Sequence, residues 1–560
     1  MARATVESDG LKIRQGSRQL QLQLDPDSNG SKIGFNLPFC SCSAGCGPNT
    51  TDIDESESLK PSVWNLIPYK NILWVDHPSN ALIEDELEIT YTKPVGNSGE
   101  IGVVRLLVQV ETKRNNDSSS SIIDNEGSIN GTNSNSQYHD PNDLVKSIMS
   151  KAYKDSKPQP RLLVLTNPKS GQGKSIKFFT SQVEPILIGA RCDYKLMKTE
   201  YSGHAIQIAQ EIDLDEFDII VCASGDGLPH EVINGFYQRE DRAEAFSKIV
   251  VTQVPCGSGN AMSLSCLNTL VPSLATLEML KGRIVRTDLM VMCQEGHSPK
   301  LSFLSQTYGI IAEADIGTEW MRFLGSARFE IGVLQRVLGH ARYPCSIAFK
   351  YVTRSKNQLN DFYKKNYNKK EDVSVKLTED DFKLKYFDTM DLNPESHFGS
   401  PSSSLFGEST ASLPESSSSP TPTDPENWEW FDQQTCDNLA IFYSGKMPYI
   451  SKDTNFFPAA LRNDGTIDIV LTDSRTNLRA TCDALFSLDK GLHVWKDEVY
   501  HFKVEAFKVI PMLPDGKKSF ISVDGESFPF QGFQVELLSG IMKTIMSDGE
   551  FKETGFLEKI

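Results

Sequence analysis

The stretch FDIIVCASGDGLPHEVINGF, residues 217–236, decides the fold of the central part of this chain. An apolar strand pattern ends in Ser-Gly-Asp-Gly, and a helix pattern follows at once. Residues 161–175 (RLLVLTNPKSGQGKS) and 248–265 (KIVVTQVPCGSGNAMSLS) repeat this order of strand, glycine-rich turn and helix. Apolar strands that alternate with helices predict an α/β domain with a doubly wound parallel sheet, over residues 158–296.

The regions outside this α/β domain carry other patterns. Residues 297–560 contain short strand patterns separated by turns, which predict a mainly antiparallel β-sandwich domain with a disordered Ser/Pro-rich insertion at about 391–427. Upstream, residues 60–113 predict a small β module, and residues 114–157 a low-complexity linker. Residues 1–59 predict a disordered tail with a cysteine cluster.

The composition is that of a soluble globular protein, with 39% hydrophobic and 23% charged residues among 560. The formal net charge of −17 argues against a nucleic-acid partner. Eleven cysteines, an odd number and mostly scattered, indicate reduced thiols rather than a disulfide framework. The N-terminal residues lack the apolar core of a signal peptide, and no apolar run approaches the roughly 18 residues of a spanning helix. We therefore expect a cytoplasmic protein whose contact with membranes is peripheral.

The first glycine-rich turn, NPKSGQGKS, is suited to an anion but is not a P-loop. Pro168 stands where the P-loop motif requires glycine. Gly171 and Gly173 let backbone N–H groups approach an anion, the following helix N-terminus adds partial positive charge, and Lys169 or Lys174 adds a full one.

The third turn, PCGSGNA, offers the side chains of Ser258 and Asn260 as donors beside two glycines. One such turn would be read as a helix cap. Three such turns at one edge of a parallel sheet, where ligands of these folds bind, predict a nucleotide triphosphate site.

Asp226 lies between two glycines of the second turn and is the candidate catalytic residue. A carboxylate beside phosphates repels them unless Mg²⁺ intervenes or the carboxylate has a catalytic task. Phosphoryl transfer to an alcohol needs a group that accepts the hydroxyl proton. The residue types leave both roles open, general base and organiser of Mg²⁺.

NPKSGQGK, SGDGLPHEVINGF and PCGSGNA, taken together, resemble the catalytic domain of the diacylglycerol kinase superfamily, to which NAD kinases are more distantly related. The forms SGDGLPHEV and PxGSGNA resemble the sphingosine kinases, also called sphingoid long-chain-base kinases. The resemblance covers about residues 160–355 and 428–545. The two low-complexity segments and the N-terminal module resemble the longer, fungal-type members. The resemblance implies an ATP- and Mg²⁺-dependent kinase that phosphorylates the primary hydroxyl of sphingosine, dihydrosphingosine or phytosphingosine.

The resemblance also implies roles for individual residues. Asp226 corresponds to the general base that deprotonates the lipid hydroxyl. The residues that correspond to the nucleotide-binding loops are Asn167, Pro168, Lys169, Ser170, Gly171, Gly173, Ser224, Gly225, Gly227, Glu231, Gly257, Ser258, Gly259 and Asn260.

Segments further along the chain complete the implied site. YGIIAEADIG resembles the segment that grips the sphingoid amine, which implies substrate binding by Asp315, with Ser305 in support. Arg322 and Arg328 correspond to positions that reach ATP phosphates. SVDGE resembles the C-terminal nucleotide motif, so Asp524, Gly525 and Glu526 are candidates for nucleotide contact, and both carboxylates for Mg²⁺.

Two alternatives remain open from the residues alone. One is a diacylglycerol or ceramide kinase of the same fold, and the other is a lipid-binding scaffold without catalysis. Cys40, Cys42 and Cys46 form a cluster that S-acylation would turn into a membrane anchor, although unmodified thiols fit the pattern equally well. A lipid substrate implies peripheral association with the Golgi, endoplasmic reticulum, endosome or plasma membrane.

Overall fold

The structure is a computed structural model, and the chain divides into two compact units. The first comprises residues 1–159 and 179–193, and the second residues 160–178 and 194–560. The structure describes residues 2–6, 10–14, 19–21, 64–78, 86–110, 141–318, 327–369, 372–387, 428–514, 517 and 519–560.

The first unit contains a seven-stranded sheet and a helix. Its elements are β1 (Ala2–Val6), β2 (Gly10–Arg14), β3 (Gln19–Gln21), β4 (Trp64–Pro68), β5 (Ile72–Asp76), β6 (Glu86–Pro94), β7 (Ile101–Val110) and α1 (Pro141–Tyr153). The strand order is β4-β2-β1-β7-β6-β5, with β3 against β7. β1 and β7 run in parallel, and the other neighbouring pairs are antiparallel.

This unit extends into ranges that the sequence predicted as unstructured. β1–β3 lie in the predicted disordered tail, and α1 lies in the predicted linker, so both predictions are corrected for these residues. The helix forms because Leu144, Ile148 and Ala152 recur every four residues and bury one face in the core. The hydroxyl of Tyr153 donates to the carbonyl oxygen of Leu73 at 2.8 Å.

The α/β part is built on a four-stranded sheet. Its elements in chain order are β8 (Arg161–Thr166), α2 (Ser170–Gly173), α3 (Ser175–Phe178), β9 (Asp193–Lys198), α5 (His204–Glu211), β10 (Ile219–Ser224), α6 (Gly227–Tyr237), α7 (Arg242–Lys248), β11 (Val250–Pro255), α8 (Ala261–Leu267) and α9 (Pro272–Lys281). Between α3 and β9 in the sequence, a π-helical turn (Phe179–Val183) and α4 (Glu184–Gly189) belong to the first unit. The strand order is β11-β10-β8-β9, and β8, β10 and β11 are parallel.

The remainder of the second unit is mainly antiparallel. Its elements are β12 (Arg283–Cys293), β13 (Lys300–Ser302), β14 (Ser305–Gly309), α10 (Ile310–Asp315), α11 (Ala327–Leu338), β15 (Cys345–Tyr351), α12 (Lys356–Asn366), β16 (Glu429–Trp430), α13 (Gln433–Asp437), β17 (Leu439–Gly445), β18 (Tyr449–Ser451), β19 (Thr454–Asn455), β20 (Ile467–Asp473), α14 (Leu478–Leu485), β21 (Val499–Pro511), β22 (Ile521–Val523), β23 (Glu526–Phe528) and β24 (Phe533–Met546). Short 3₁₀ turns occur at Tyr69–Asn71, Glu379–Phe382, Leu488–Lys490, His493–Trp495 and Leu557–Lys559.

Eleven of these strands form one sheet around an aromatic core. The order is β13-β12-β24-β21-β20-β17-β14-β22-β23, with β15 against β21 and β16. Buried rings such as Phe349, Phe442 and Phe507 fill its interior. After β24, the backbone N–H groups of Ser547 and Lys552 donate to carbonyl oxygens of α8, which ties this sheet to the α/β part. The predicted combination of a parallel α/β domain and an antiparallel β domain is confirmed.

Among the described residues, no helix combines the length and the apolar character that crossing a membrane requires.

Candidate active site

The three glycine-rich loops meet backbone to backbone at the carboxyl ends of β8, β10 and β11. A Cβ atom on Gly257 would lie 2.1 Å from the backbone nitrogen of Gly225. A Cβ atom on Gly171, whose φ is +59°, would lie 2.5 Å from the carbonyl oxygen of Cys256. Real Cβ atoms do not approach other atoms this closely, so only glycine lets the first and second loops touch the third. The predicted gathering of the loops at one sheet edge is therefore present.

Asn167 organises the first loop. Its side-chain oxygen accepts from the backbone nitrogen of Lys169 at 2.9 Å, and its carbonyl oxygen accepts from the backbone nitrogen of Ser170 at 3.0 Å. Pro168 is half-buried, whereas Lys169 is exposed. Gly171, Gln172 and Gly173 all have positive φ, which the two glycines adopt freely and Gln172 adopts only at a cost in strain. The loop leaves a lysine and several backbone groups facing solvent at the sheet edge.

Asp226 is buried at the centre of the three loops. Its Oδ2 accepts from the backbone nitrogen of Ala261 at 2.9 Å, and its Oδ1 accepts from that of Met262 at 3.1 Å. These are the first N–H groups of α8, so the carboxylate sits where the helix dipole favours negative charge. Gln253 donates a third hydrogen bond to Oδ1 at 3.2 Å.

Burial raises the pKa of the Asp226 carboxyl to about 6, and the three hydrogen bonds oppose this rise. The nearby charge of Asp524 raises it slightly further. A base whose pKa lies near neutral pH is well matched to taking a proton from a hydroxyl group. The electrostatics of the site thus agree with the predicted role of general base.

The third loop is held by Asn260. Its side-chain nitrogen donates to the carbonyl oxygen of Gly257 at 2.9 Å, and its side-chain oxygen accepts from the nitrogen of Gly257 at 3.2 Å. Ser258 and Gly259 lie at the exposed tip between these two residues. Ser224, at the end of β10, is buried, and its carbonyl oxygen accepts from the backbone nitrogen of Cys256. The predicted residues of the second and third loops are therefore neighbours.

Glu231 contacts the N-terminus of α5. It lies one turn along α6, and its two carboxylate oxygens accept from the backbone nitrogens of Gly203 and Ala205, each at 3.0 Å. These are N–H groups at the start of α5, so the observed role of Glu231 is to cap that helix. This contact joins α5 to α6, and the nucleotide contact of Glu231 stays a prediction.

Asp524 occupies the tight turn between β22 and β23 and has a full set of partners. Its Oδ1 accepts from the hydroxyl of Ser302 and from the backbone nitrogens of Leu304 and Ser305 at 2.6, 3.0 and 2.9 Å. Its Oδ2 accepts from the backbone nitrogen of Phe303 and lies 2.9 Å from Nδ1 of His230. Five donors around two oxygens leave little capacity for a metal ion.

Glu526 is placed differently from Asp524. Gly525 and Glu526 are exposed, and a Cβ atom on Gly227 would lie 3.4 Å from Oε1 of Glu526. Its carboxylate thus lies next to the residue that follows Asp226. Among the described residues, no group of three or more His, Cys, Asp or Glu side chains forms a metal site. Mg²⁺ that arrives with a nucleotide needs only one or two carboxylates, so the arrangement remains compatible with it.

Asp315 and Ser305 lie on the antiparallel side of the same site. Asp315 ends α10, is half-buried and accepts from the hydroxyl of Ser522 at 2.7 Å. The hydroxyl of Ser305 lies 3.4 Å from that of Tyr443. Burial raises the pKa of Tyr443 well above its ordinary value, and the charges of Asp315, Asp524 and Asp226 raise it further. Tyr443 therefore lies within electrostatic reach of all three carboxylates.

Some predicted residues lie outside the described part of the chain. They are Arg322, the side chain of Arg328, and Cys40, Cys42 and Cys46. Their roles remain predictions.

The structure adds four residues that the sequence did not single out. These are Gln253, His230, Ser522 and Tyr443. Only Gln253 could have been found from the sequence, because it is a glutamine in the largely apolar strand VVTQVP and a buried amide needs hydrogen-bond partners. The partners of the other three come from distant segments, which a linear pattern does not reveal.

Comparison with known proteins places these features in a family. The family model described as the diacylglycerol kinase catalytic domain matches residues 161–292, which span all three loops.

Two curated proteins match most of the chain. "Sphingoid long chain base kinase 5" of Saccharomyces cerevisiae is 43% identical over 447 residues, which cover 76% of this chain and 64% of the relative. "Sphingoid long chain base kinase 4" of Schizosaccharomyces pombe is 31% identical over 479 residues, which cover 86% of this chain and 87% of the relative.

Among solved structures, that of a diacylglycerol kinase from Bacillus anthracis str. Sterne aligns over 69% of this chain and 97% of its own, with a TM-score of 0.40 and 16% identity. The two curated relatives and the catalytic-domain match decide the assignment. The chain belongs to the family of sphingoid long-chain-base kinases, and its catalytic domain is that of the diacylglycerol kinases.

Proposed function

We propose that this kinase transfers the γ-phosphoryl group of ATP to the primary hydroxyl of a sphingoid long-chain base, with Asp226 as general base. Two relatives are named for this class of lipid. One observation carries the assignment of the base: the Asp226 carboxylate is buried where the three loops meet and is held by three donors. Its position next to a nucleotide cradle suits proton abstraction during phosphoryl transfer.

The proposed reaction transfers one phosphoryl group to the lipid and one proton from the lipid hydroxyl to Asp226. The hydroxyl oxygen of the lipid forms a bond to the γ-phosphorus, and the bond between that phosphorus and the bridging oxygen breaks to release ADP. The hydroxyl proton passes to the carboxylate of Asp226. Because burial raises the pKa of this carboxyl to about 6, it is mostly ionised at pH 7 and still basic enough to accept the proton.

Kinases of this family use ATP, generally with a divalent metal ion, and the donor chemistry here suits Mg²⁺. The carboxylate of Glu526 lies beside Gly227 and is exposed, so it would hold the ion together with phosphate oxygens. Bound Mg²⁺ would neutralise charge on the phosphates. Asp524 does not share this task, since five donors already occupy its oxygens.

Asp315 would bind the sphingoid amine. A cationic amine that enters an apolar channel needs an anionic partner, because an unpaired charge is costly to desolvate. Asp315 is half-buried and is oriented by the hydroxyl of Ser522. Neither diacylglycerol nor ceramide carries such an amine, so this carboxylate favours a sphingoid base as acceptor.

Peripheral membrane association would bring the enzyme to its lipid. Leu334 and Leu338 lie one helical turn apart on α11 and are about half exposed, and Phe486, at the end of the neighbouring α14, is 84% exposed. Exposed apolar side chains on adjacent helices suit shallow insertion into a bilayer. We expect a cytoplasmic enzyme that docks on an internal membrane or the plasma membrane.

Vesicle flotation tests this docking. Phe486→Asp should reduce binding to vesicles of neutral and anionic phospholipid, whereas Val375→Asp, which changes another exposed apolar side chain outside these helices, should not. Equal flotation of both variants and wild type would refute docking through this face.

Phosphate transfer from labelled ATP tests the activity. The purified full chain is offered dihydrosphingosine, diacylglycerol, ceramide and NAD in parallel. Asp226→Asn should lower transfer by about 10²- to 10⁴-fold, the usual contribution of a general base. Asp361→Asn, a change at an exposed aspartate of α12, is the matched control and should behave as wild type. Transfer mainly to an acceptor without an amine would reject the proposed substrate.

A further inference from the structure

Gln253 is a buried amide in an apolar strand. It lies on β11 opposite Cys222 of β10, and its side chain is fully buried. A buried amide without partners costs free energy, so its presence here needs a reason beyond packing.

The orientation of this amide follows from its partners. The backbone nitrogen of Ser263, on α8, lies 2.8 Å from one end of the amide. An N–H group can only donate, so the end that faces Ser263 must be Oε1. The amide nitrogen is then forced towards Oδ1 of Asp226, 3.2 Å away, with the carbonyl oxygen of Ser224 at 3.4 Å. The hydrogen-bond network itself therefore fixes which atom meets the carboxylate.

The two oxygens of Asp226 are unequal as a result. Oδ1 accepts from Met262 and from Gln253, which fills its two lone-pair directions. Oδ2 accepts one hydrogen bond from the described residues, that of Ala261. A Cβ atom on Gly259 would lie 3.2 Å from Oδ2, so the glycine keeps space open beside this oxygen.

We propose that Gln253 is a positioning residue for phosphoryl transfer: it occupies Oδ1 of Asp226 and thereby directs the incoming hydroxyl to Oδ2. The inference rests on the proposed function of Asp226 as general base. The backbone N–H of Ser263 fixes the orientation of the Gln253 amide, and the amide in turn fixes the orientation of the Asp226 carboxylate. The remaining lone pair of Oδ2 then faces the space beside Gly259. Gln253 touches neither substrate in this arrangement and acts only through Asp226.

Loss of the amide has two consequences. The carboxylate can rotate, so either oxygen can meet the hydroxyl and the productive geometry is populated less. The negative charge also loses a donor, so the carboxyl holds its proton up to a higher pH. A role limited to packing would produce neither effect.

Gln253→Met tests the proposal, because it keeps the length and shape of the side chain and removes both polar atoms. We expect kcat with dihydrosphingosine to fall roughly 10- to 100-fold, the loss of one hydrogen bond to a charged group, with the KM for ATP nearly unchanged. The acid limb of kcat/KM should move to higher pH. Gln534→Met is the matched control: Gln534 is a buried glutamine on β24 whose amide donates to the carbonyl oxygen of Tyr386. It should keep the wild-type kcat and the wild-type acid limb.

Gln253→Glu is the second variant, for the case that Gln253→Met does not fold. It keeps the shape and an acceptor for Ser263 but places a second carboxyl group beside Asp226. The two carboxyl groups then compete for one proton, so the acid limb should again lie at higher pH than in wild type. Wild-type kcat and an unmoved acid limb in either folded variant would overturn the proposal.

Thermal unfolding without substrate separates this inference from the proposed function. The pH dependence of stability that Asp226 causes should shift in the Gln253 variants whichever lipid the enzyme phosphorylates. If wild type prefers another acceptor, the substrate assignment fails, and the same comparison is made with that acceptor.

Discussion

The raised pKa of Asp226 predicts opposite effects of acid on activity and on stability. Burial raises this pKa from 3.8 to about 6. At pH 5 a carboxyl with a pKa of 6 is about one-tenth ionised, whereas one with a pKa of 3.8 would be more than about nine-tenths ionised. We therefore expect kcat/KM to fall about tenfold per pH unit below pH 6 as the base is protonated.

The contribution of Asp226 to the stability of the folded state should instead increase as the pH falls. The folded state binds the proton more tightly than the unfolded state, so between pH 6 and pH 3.8 the unfolded state holds fewer protons at this site. The contribution of Asp226 to stability is therefore fully present below pH 3.8 and is lost as the pH rises through 6. The difference between the two pKa values corresponds to about 3 kcal/mol.

Thermal unfolding from pH 4 to pH 8 measures this effect, with Asp226→Asn as the reference that cannot titrate. The stability of wild type relative to the variant should rise as the pH falls from 7 to 4. Neither sample contains ATP, so the ionisation of the nucleotide does not contribute. A constant difference across this range, together with an acid limb of activity near pH 4, would refute the raised pKa and the reasoning from burial.

Three further predictions follow from other residues. Asp315→Asn should raise the KM for dihydrosphingosine roughly 10- to 100-fold and leave the KM for ATP unchanged, since it removes the anion proposed to bind the amine; steady-state kinetics test this. Lys446→Met should destabilise the fold by about 3–5 kcal/mol in urea unfolding, because Nζ of Lys446 lies 2.7 Å from Asp288 and 2.6 Å from Asp464 and all three side chains are buried. His493, whose pKa burial lowers to about 3, should cost about 1.4 kcal/mol of stability per pH unit as the pH falls below 6.5, and His493→Gln should remove that slope in thermal unfolding.

Three carboxylates of the second unit play the same structural role: each accepts hydrogen bonds from backbone N–H groups of a segment distant in sequence. Asp226 caps α8, Glu231 caps α5, and Asp524 binds the turn that precedes β14. Each therefore joins two segments, and Asp226 and Glu231 do so from the same stretch of chain. The catalytic loop is thus held rigidly by the helices around it, which favours a fixed geometry for the base.

The local patterns of the sequence predicted the central architecture well. β8, β10 and β11 are apolar runs followed by glycine-rich turns, and runs of this kind that alternate with helices are typical of parallel sheets. The N-terminal unit was predicted less completely. β1 and β3 are short, and α1 follows a polar segment, so their sequences carry only a weak local signal. Their apolar residues become buried because β7 and the rest of the sheet provide a surface to pack against.

The sequence by itself determined that Asp226 is the candidate base, because a carboxylate between two glycines after a buried strand is specified by local spacing. Only the tertiary structure decided how this carboxylate is held. Gln253 is 27 residues away from Asp226 along the chain, and Asp524 meets His230 across 294 residues. Hydrogen bonds of this kind depend on which helix ends and strand edges face each other, and that information arises only when the sheets pack.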